Sequence, residues 1–93
     1  SDISKLGKDK WKPASKADLY AYYHDVSYEN AIAHGVKPAT LYTGYSPSDM
    51  VLQARAKQEL NTKHGVYAYY GMKGKELLYR AGLTKFNQSV TTT

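Results

Sequence analysis

Between Ser15 and Gly35 the chain carries neither glycine nor proline, and this unbroken stretch, Lys16 to His34, limits the possible folds more than any other feature. A run of that length without a breaker reads as a helix of about five turns. Ser15 and Asp18 stand three apart like a capping box in which Asp replaces the commoner Glu. Gly35 suits a left-handed cap at the other end, and Pro38 lies just beyond it. Ala17, Tyr20, Ala21, His24, Tyr28 and Ala31 fall on one face by their spacing, and that face is apolar except for the histidine.

The remaining segments are shorter. Residues 36–45 (VKPATLYTGY) read as a loop with turn residues and two tyrosines. A second helix opens with Ser46 as N-cap, Pro47 at the first helical position and Asp49 completing the cap. Met50, Val51, Ala54 and Leu60 give it an apolar side up to about Asn61, and Thr62 to Gly65 make the next break. Over residues 66–81, VYAYY is compatible with a strand, and Gly71 and Gly74 each weaken a helix by roughly 1 kcal/mol relative to Ala. Tyr70, Leu77 and Ala81 nevertheless recur at helical spacing and Gly82 is a good stop, so helix is the preferred reading. Small residues at Ala68, Gly71 and Gly74 would let another helix approach closely. The expected architecture is mainly α: a basic arm over 1–14, a helical domain over 15–83 and a polar, poorly ordered tail over 84–93.

Composition narrows the function classes. The 93 residues make one domain, and 42% hydrophobic with 23% charged residues is an ordinary globular balance. No run approaches the roughly 18 apolar residues of a spanning helix. The absence of cysteine removes disulfide partners, thiolate metal sites and cysteine nucleophiles, and leads us to expect an intracellular or assembly-protected setting. A net charge of +5 favours anionic partners, either nucleic acid or phospholipid head groups. Lys5, Lys8, Lys10, Lys12 and Lys16, with Trp11 among them, form the candidate anionic-surface arm; equally, such a run can be a solvated face. The ten tyrosines could stack on bases or make core contacts.

The one constellation able to carry chemistry is His24-Asp25, with Tyr28 a turn later and Asp49 at the start of the second helix. Neighbours in a helix point about 100° apart, so His24 would face a partner helix and Asp25 the edge, where an ion could bind. An Asp beside the far imidazole nitrogen would fix the tautomer, as a histidine general base requires. Each residue also has a plain structural reading: His24 as a hydrogen-bonded core residue, Asp49 as a cap, Asp25 as a solvated charge and Tyr28 as core. His34 and His64 precede glycines and read as C-terminal caps of helices.

The order of these residues resembles a family. Pro13, Ala17-Asp18, His24-Asp25 with Tyr28, Gly35, Pro38 and, after a loop, Asp49 within SPSDM follow the pattern of the phospholipase A2-like domain of parvovirus minor capsid proteins. The stretch HGVYAYYGMKGKELLYRAGL is similar to that family's closing helix, so the resemblance covers about residues 13–83. It implies two long antiparallel helices carrying a His-Asp site, a third helix, and Ca²⁺ as cofactor. His24 would activate a water that attacks the sn-2 ester of a glycerophospholipid, Asp49 would orient His24, Tyr28 would support the Asp, and Asp25 would bind the metal. Where the family has a Tyr-x-Gly-Pro-Gly-Asn calcium loop, this chain reads ISKLGKDKW and shares only Gly7. The implied setting is a virion, with the domain used to breach a host membrane during entry. The alternative is a non-catalytic virion protein on the same scaffold, binding lipid, packaged nucleic acid or capsid proteins through its basic surface.

Overall fold

The computed structural model describes residues 12–91. Its α-helices are α1 (Lys16–Ala33), α2 (Pro38–Thr43), α3 (Pro47–Ala56), extended by a 3-10 turn over Lys57–Glu59, and α4 (Lys63–Arg80). The architecture is mainly α. Among the described residues no strand forms, and the one extended pairing is a parallel bridge between Tyr45 and Phe86.

Local signals explain the ends of α1. Ser15 Oγ accepts the Asp18 N–H at 3.2 Å, satisfying one of the orphan donors of the first turn. At the other end Gly35 adopts φ +98°, and the N–H groups of Gly35 and Val36 donate to Ile32 O and Ala31 O, both at 3.0 Å. That pair of bonds is a Schellman cap, which needs the left-handed residue that glycine supplies. His34 is the C-cap residue, and its ring Nδ1 donates to Asn30 O at 2.8 Å.

Three boundaries differ from the sequence reading. The expected loop over 36–45 contains α2, because Pro38 presets the first helical φ and Lys37 is extended, as the residue before proline prefers. Only six residues long, α2 shows no periodicity that a pattern search can detect. The helix expected to reach about Asn61 leaves α-geometry after Ala56, and the chain reverses where Thr62 N–H and Oγ1 both donate to Glu59 O, at 3.0 and 2.9 Å. Thr62 then caps α4, its Oγ1 accepting the Gly65 N–H at 3.0 Å, so the last long helix starts at Lys63 and VYAYY is helical. His64 therefore sits in the first turn of α4 rather than at a helix C-terminus, and it pairs with Asp18 of α1.

The helix α3 packs against both α1 and α4. The buried apolar cluster is small and joins Tyr28 and Ala31 of α1, Leu41 of α2 and Val90 of the C-terminal segment. That segment has no helix or strand of its own, but it is bound to the chain entering α3. Tyr45 N–H donates to Lys85 O at 3.0 Å, Asn87 N–H to Tyr45 O at 2.8 Å, and Ser48 N–H to Val90 O at 3.0 Å. The close helix approach expected at Gly71 and Gly74 does not occur among the described residues: a Cβ at either position would meet nothing within 4 Å.

Gly65 is different. A Cβ there would lie 1.9 Å from Glu59 O and 2.6 Å from its carbonyl carbon, so the reversal into α4 closes only around a glycine. We expect Gly65→Ala to cost more than about 2 kcal/mol, because backbone must shift to admit the methyl. Gly71→Ala, on the open face, should be neutral or stabilise by up to about 1 kcal/mol through helix propensity. Urea unfolding of the two variants beside the parent measures both effects.

Candidate functional site

The helices converge on one carboxylate. Asp49, in the first turn of α3, is fully buried, its N–H held by Ser46 Oγ at 3.2 Å. From α1, His24 Nε2 lies 2.6 Å from Asp49 Oδ1, and the Tyr28 hydroxyl, one turn further along, donates to the same oxygen at 2.6 Å. The i, i+4 spacing places the two rings on one side of α1, with centroids 4.2 Å apart. Asp49 Oδ2 has no hydrogen bond of good geometry; the ammonium of Lys75 from α4, 2.8 Å away, compensates its charge.

Lys75 Nζ meets three oxygens, one through an ion pair and two through hydrogen bonds. Besides Asp49 Oδ2, its Nζ donates to the Tyr28 hydroxyl oxygen at 2.6 Å and to Leu41 O at 2.8 Å. Leu41 lies in the last turn of α2, where backbone carbonyls lack intrahelical partners and carry the negative end of the helix dipole. The cation is thus matched by a carboxylate, a carbonyl and a phenol whose own proton points at Asp49. With 13% of its side chain exposed against none for Asp49, this is a buried pair.

The electrostatics follow from that geometry. Burial pushes the Asp49 carboxyl upward, but bonds from His24, Lys75 and Tyr28 outweigh it and hold Asp49 below the ordinary carboxylate value. Burial first, then the bond to Asp49, pushes the Tyr28 phenol far above its usual value, so Tyr28 remains a donor. An ionised Asp49 needs a proton on His24 Nε2. That fixes the tautomer and leaves Nδ1 as a lone pair without a partner among the described residues. His24 also lines a small surface cleft with Tyr20, Tyr23, Val51 and Arg55.

Of the residues singled out from the sequence, His24, Tyr28 and Asp49 come together. Asp25 does not join them. It is exposed on the next position of α1, has no ion pair among the described residues, and is pushed upward by partial burial and by Glu29 against the lowering effect of His24. No group of three or more His, Cys, Asp or Glu side chains gathers among the described residues. The segment expected as the calcium loop, residues 3–11, lies outside the described residues, so Asp25 is the one expected ligand whose position is seen. Lys12 and Lys16 are exposed before and at the start of α1, while Lys5, Lys8 and Lys10 lie outside the described residues. Lys75 is the residue that spacing arguments missed. Its one signal is phase: with Gly65, Ala68 and Met72 it repeats at three and four on the inward side of α4.

Comparison with protein-family models, with curated proteins and with solved structures gave no match.

Two measurements probe this arrangement. Lys75→Met leaves a buried carboxylate without its cation and is expected to cost about 3–5 kcal/mol at pH 7, read by urea unfolding. Because the folded Asp49 lies below its unfolded value, it adds stability above an unfolded value of about 3.9. That contribution disappears as pH falls through the lower folded value. Parent stability should therefore drop steeply below about pH 4, and Asp49→Asn should flatten that part of the profile.

Proposed function

We propose that this protein is a phospholipase A2-like hydrolase acting on the sn-2 ester of glycerophospholipids, with His24 as general base and Asp49 as its orienting residue. The observation that carries the reading is the His24–Asp49 pair, 2.6 Å apart, with Tyr28 on the same carboxylate oxygen and the other imidazole nitrogen without a partner among the described residues. In this reading Nδ1 takes a proton from a water, and the water oxygen bonds to the ester carbonyl carbon. The tetrahedral intermediate then expels the glycerol oxygen, which receives the proton from Nδ1, giving a fatty acid and a lysophospholipid. Asp49 stabilises the imidazolium in between. Tyr28 and Lys75 act as positioning residues: they hold the carboxylate in one orientation and keep it ionised. The chemistry that calcium supplies in the resembled family is polarisation of the ester carbonyl, and Asp25 is the residue facing solvent where such an ion could dock.

The resemblance supports a virion setting in which the domain acts on a host membrane, and the net charge of +5 suits an anionic lipid surface. One observation favours the second reading, a non-catalytic scaffold. Lys75 shares the charge of Asp49, which weakens its hold on an imidazolium and makes the knot a fold-determining device in its own right.

Fatty-acid release from mixed phospholipid vesicles, with calcium and again with a chelator, separates the two. The hydrolase reading expects release that falls by at least 100-fold in a folded His24→Ala variant, the scale of losing a general base. A folded parent that releases no fatty acid under either condition leaves the scaffold reading standing.

A further inference from the structure

Among the described residues the outer side of α4 is open to solvent over its whole length. Lys63, Tyr67, Tyr70, Gly71, Gly74, Leu77, Leu78 and Ala81 all fall within about 120° of the helix circumference, given 100° per residue. After Lys63 the stripe carries no charge for five turns. Its large members are open to solvent: Tyr67 is 69% exposed, Tyr70 62%, Leu77 54% and Leu78 45%. Leu83, 73% exposed, continues the surface, because its N–H donates to Leu78 O at 2.9 Å and folds the chain back onto the end of α4. Isolated exposed apolar side chains are common on proteins, whereas a contiguous face of this kind marks a contact surface.

From this face we infer that α4 is the surface by which the protein lies on an anionic phospholipid bilayer, through apolar and tyrosine contact rather than through the lysine arm. Charge selects the occupant. From Leu60 onward the charges not spent on Asp49 are Lys63, Lys73, Arg80 and Lys85 against Glu76. Lys73 and Arg80 border one edge of the stripe, at 80° and 100° from Lys63 on the helix, where both pair with Glu76 and leave that edge with one positive charge, and Lys63 stands at its head. A helix with an apolar face, flanking cations and tyrosines at the boundary is built to sit in the interface plane, its rings at head-group level. A second copy fits less well. Two copies of net charge +5 repel.

The inference rests on the lipid reading of the function but not on catalysis, so it is tested in the inactive His24→Ala protein. Partition onto sedimented vesicles of pure phosphatidylcholine and of phosphatidylcholine with one-third phosphatidylglycerol is measured at fixed ionic strength. Tyr70→Glu/Leu77→Glu, which places two charges on the face, is expected to lower partition onto the mixed vesicles at least tenfold. Asn30→Asp/Gln58→Glu, which adds the same charge on other elements, should stay within threefold of the parent. Equal losses in both double variants would mean that net charge alone drives binding, and would overturn the assignment of the face. So would unchanged partition in Tyr70→Glu/Leu77→Glu. A parent that sediments as a dimer and becomes monomeric in that variant would give the face to a second copy instead. If vesicles bind through α4 but the parent protein releases no fatty acid, the hydrolase reading fails and this one stands.

Discussion

A carboxylate with no exposed surface is the point on which this fold turns. Taking the Asp49 charge out of water costs several kcal/mol unless it is fully paired, and the pairing draws on elements far apart in sequence. His24 and Tyr28 come from α1, the Leu41 carbonyl from α2 and Lys75 from α4. None of these partners is adjacent to Asp49 in the chain, so the carboxylate is comfortable only when all four helices are in place together. The apolar core is too small to set that arrangement alone, since Leu41, Val90, Ala31 and Tyr28 make up its main cluster. Tyr28 belongs to both systems, with its ring in the cluster and its hydroxyl on Asp49.

Lys75 gives the knot a double character. A His-Asp pair alone would leave one carboxylate oxygen to hold itself ionised by solvent, which is absent here. The ammonium does that instead and fixes the second oxygen, at the expense of dividing the charge of Asp49 between Lys75 and the imidazole. Geometry favourable to proton transfer and geometry favourable to burying a charge therefore coincide in the same atoms.

How much of this was legible depended on range. Helix ends are local, so Ser15, Gly35, Ser46 and Pro47 could be read directly, and helix α1 came out within a residue. His24 and Tyr28 were legible because i, i+4 spacing puts them side by side, and Asp49 because it follows a capping serine. α2 was hidden by its shortness: one and a half turns rich in threonine have no period. Lys75 was hidden because a lysine on a long helix is ordinarily solvated, and only its phase relative to Gly65 and Met72 sets it apart. Val90 was hidden by its neighbours, a polar stretch in which a single valine carries no pattern. His64 was misplaced because Gly65, read as a stop, is required by the close approach of Glu59 O at a helix start.

The bond from Ser48 N–H to Val90 O has a consequence for how the protein is made. The first turn of α3 borrows an acceptor from a residue more than forty positions later, and that turn contains Asp49. On the ribosome, α1 and its capped ends can form as soon as they emerge, but Asp49 then waits for Lys75 and Ser48 for Val90. Until the segments carrying Lys75 and Val90 have left the exit tunnel, the nascent chain holds a carboxylate with no cation and a helix start with an unmet donor. The site therefore cannot mature on α1 alone, however early that helix forms.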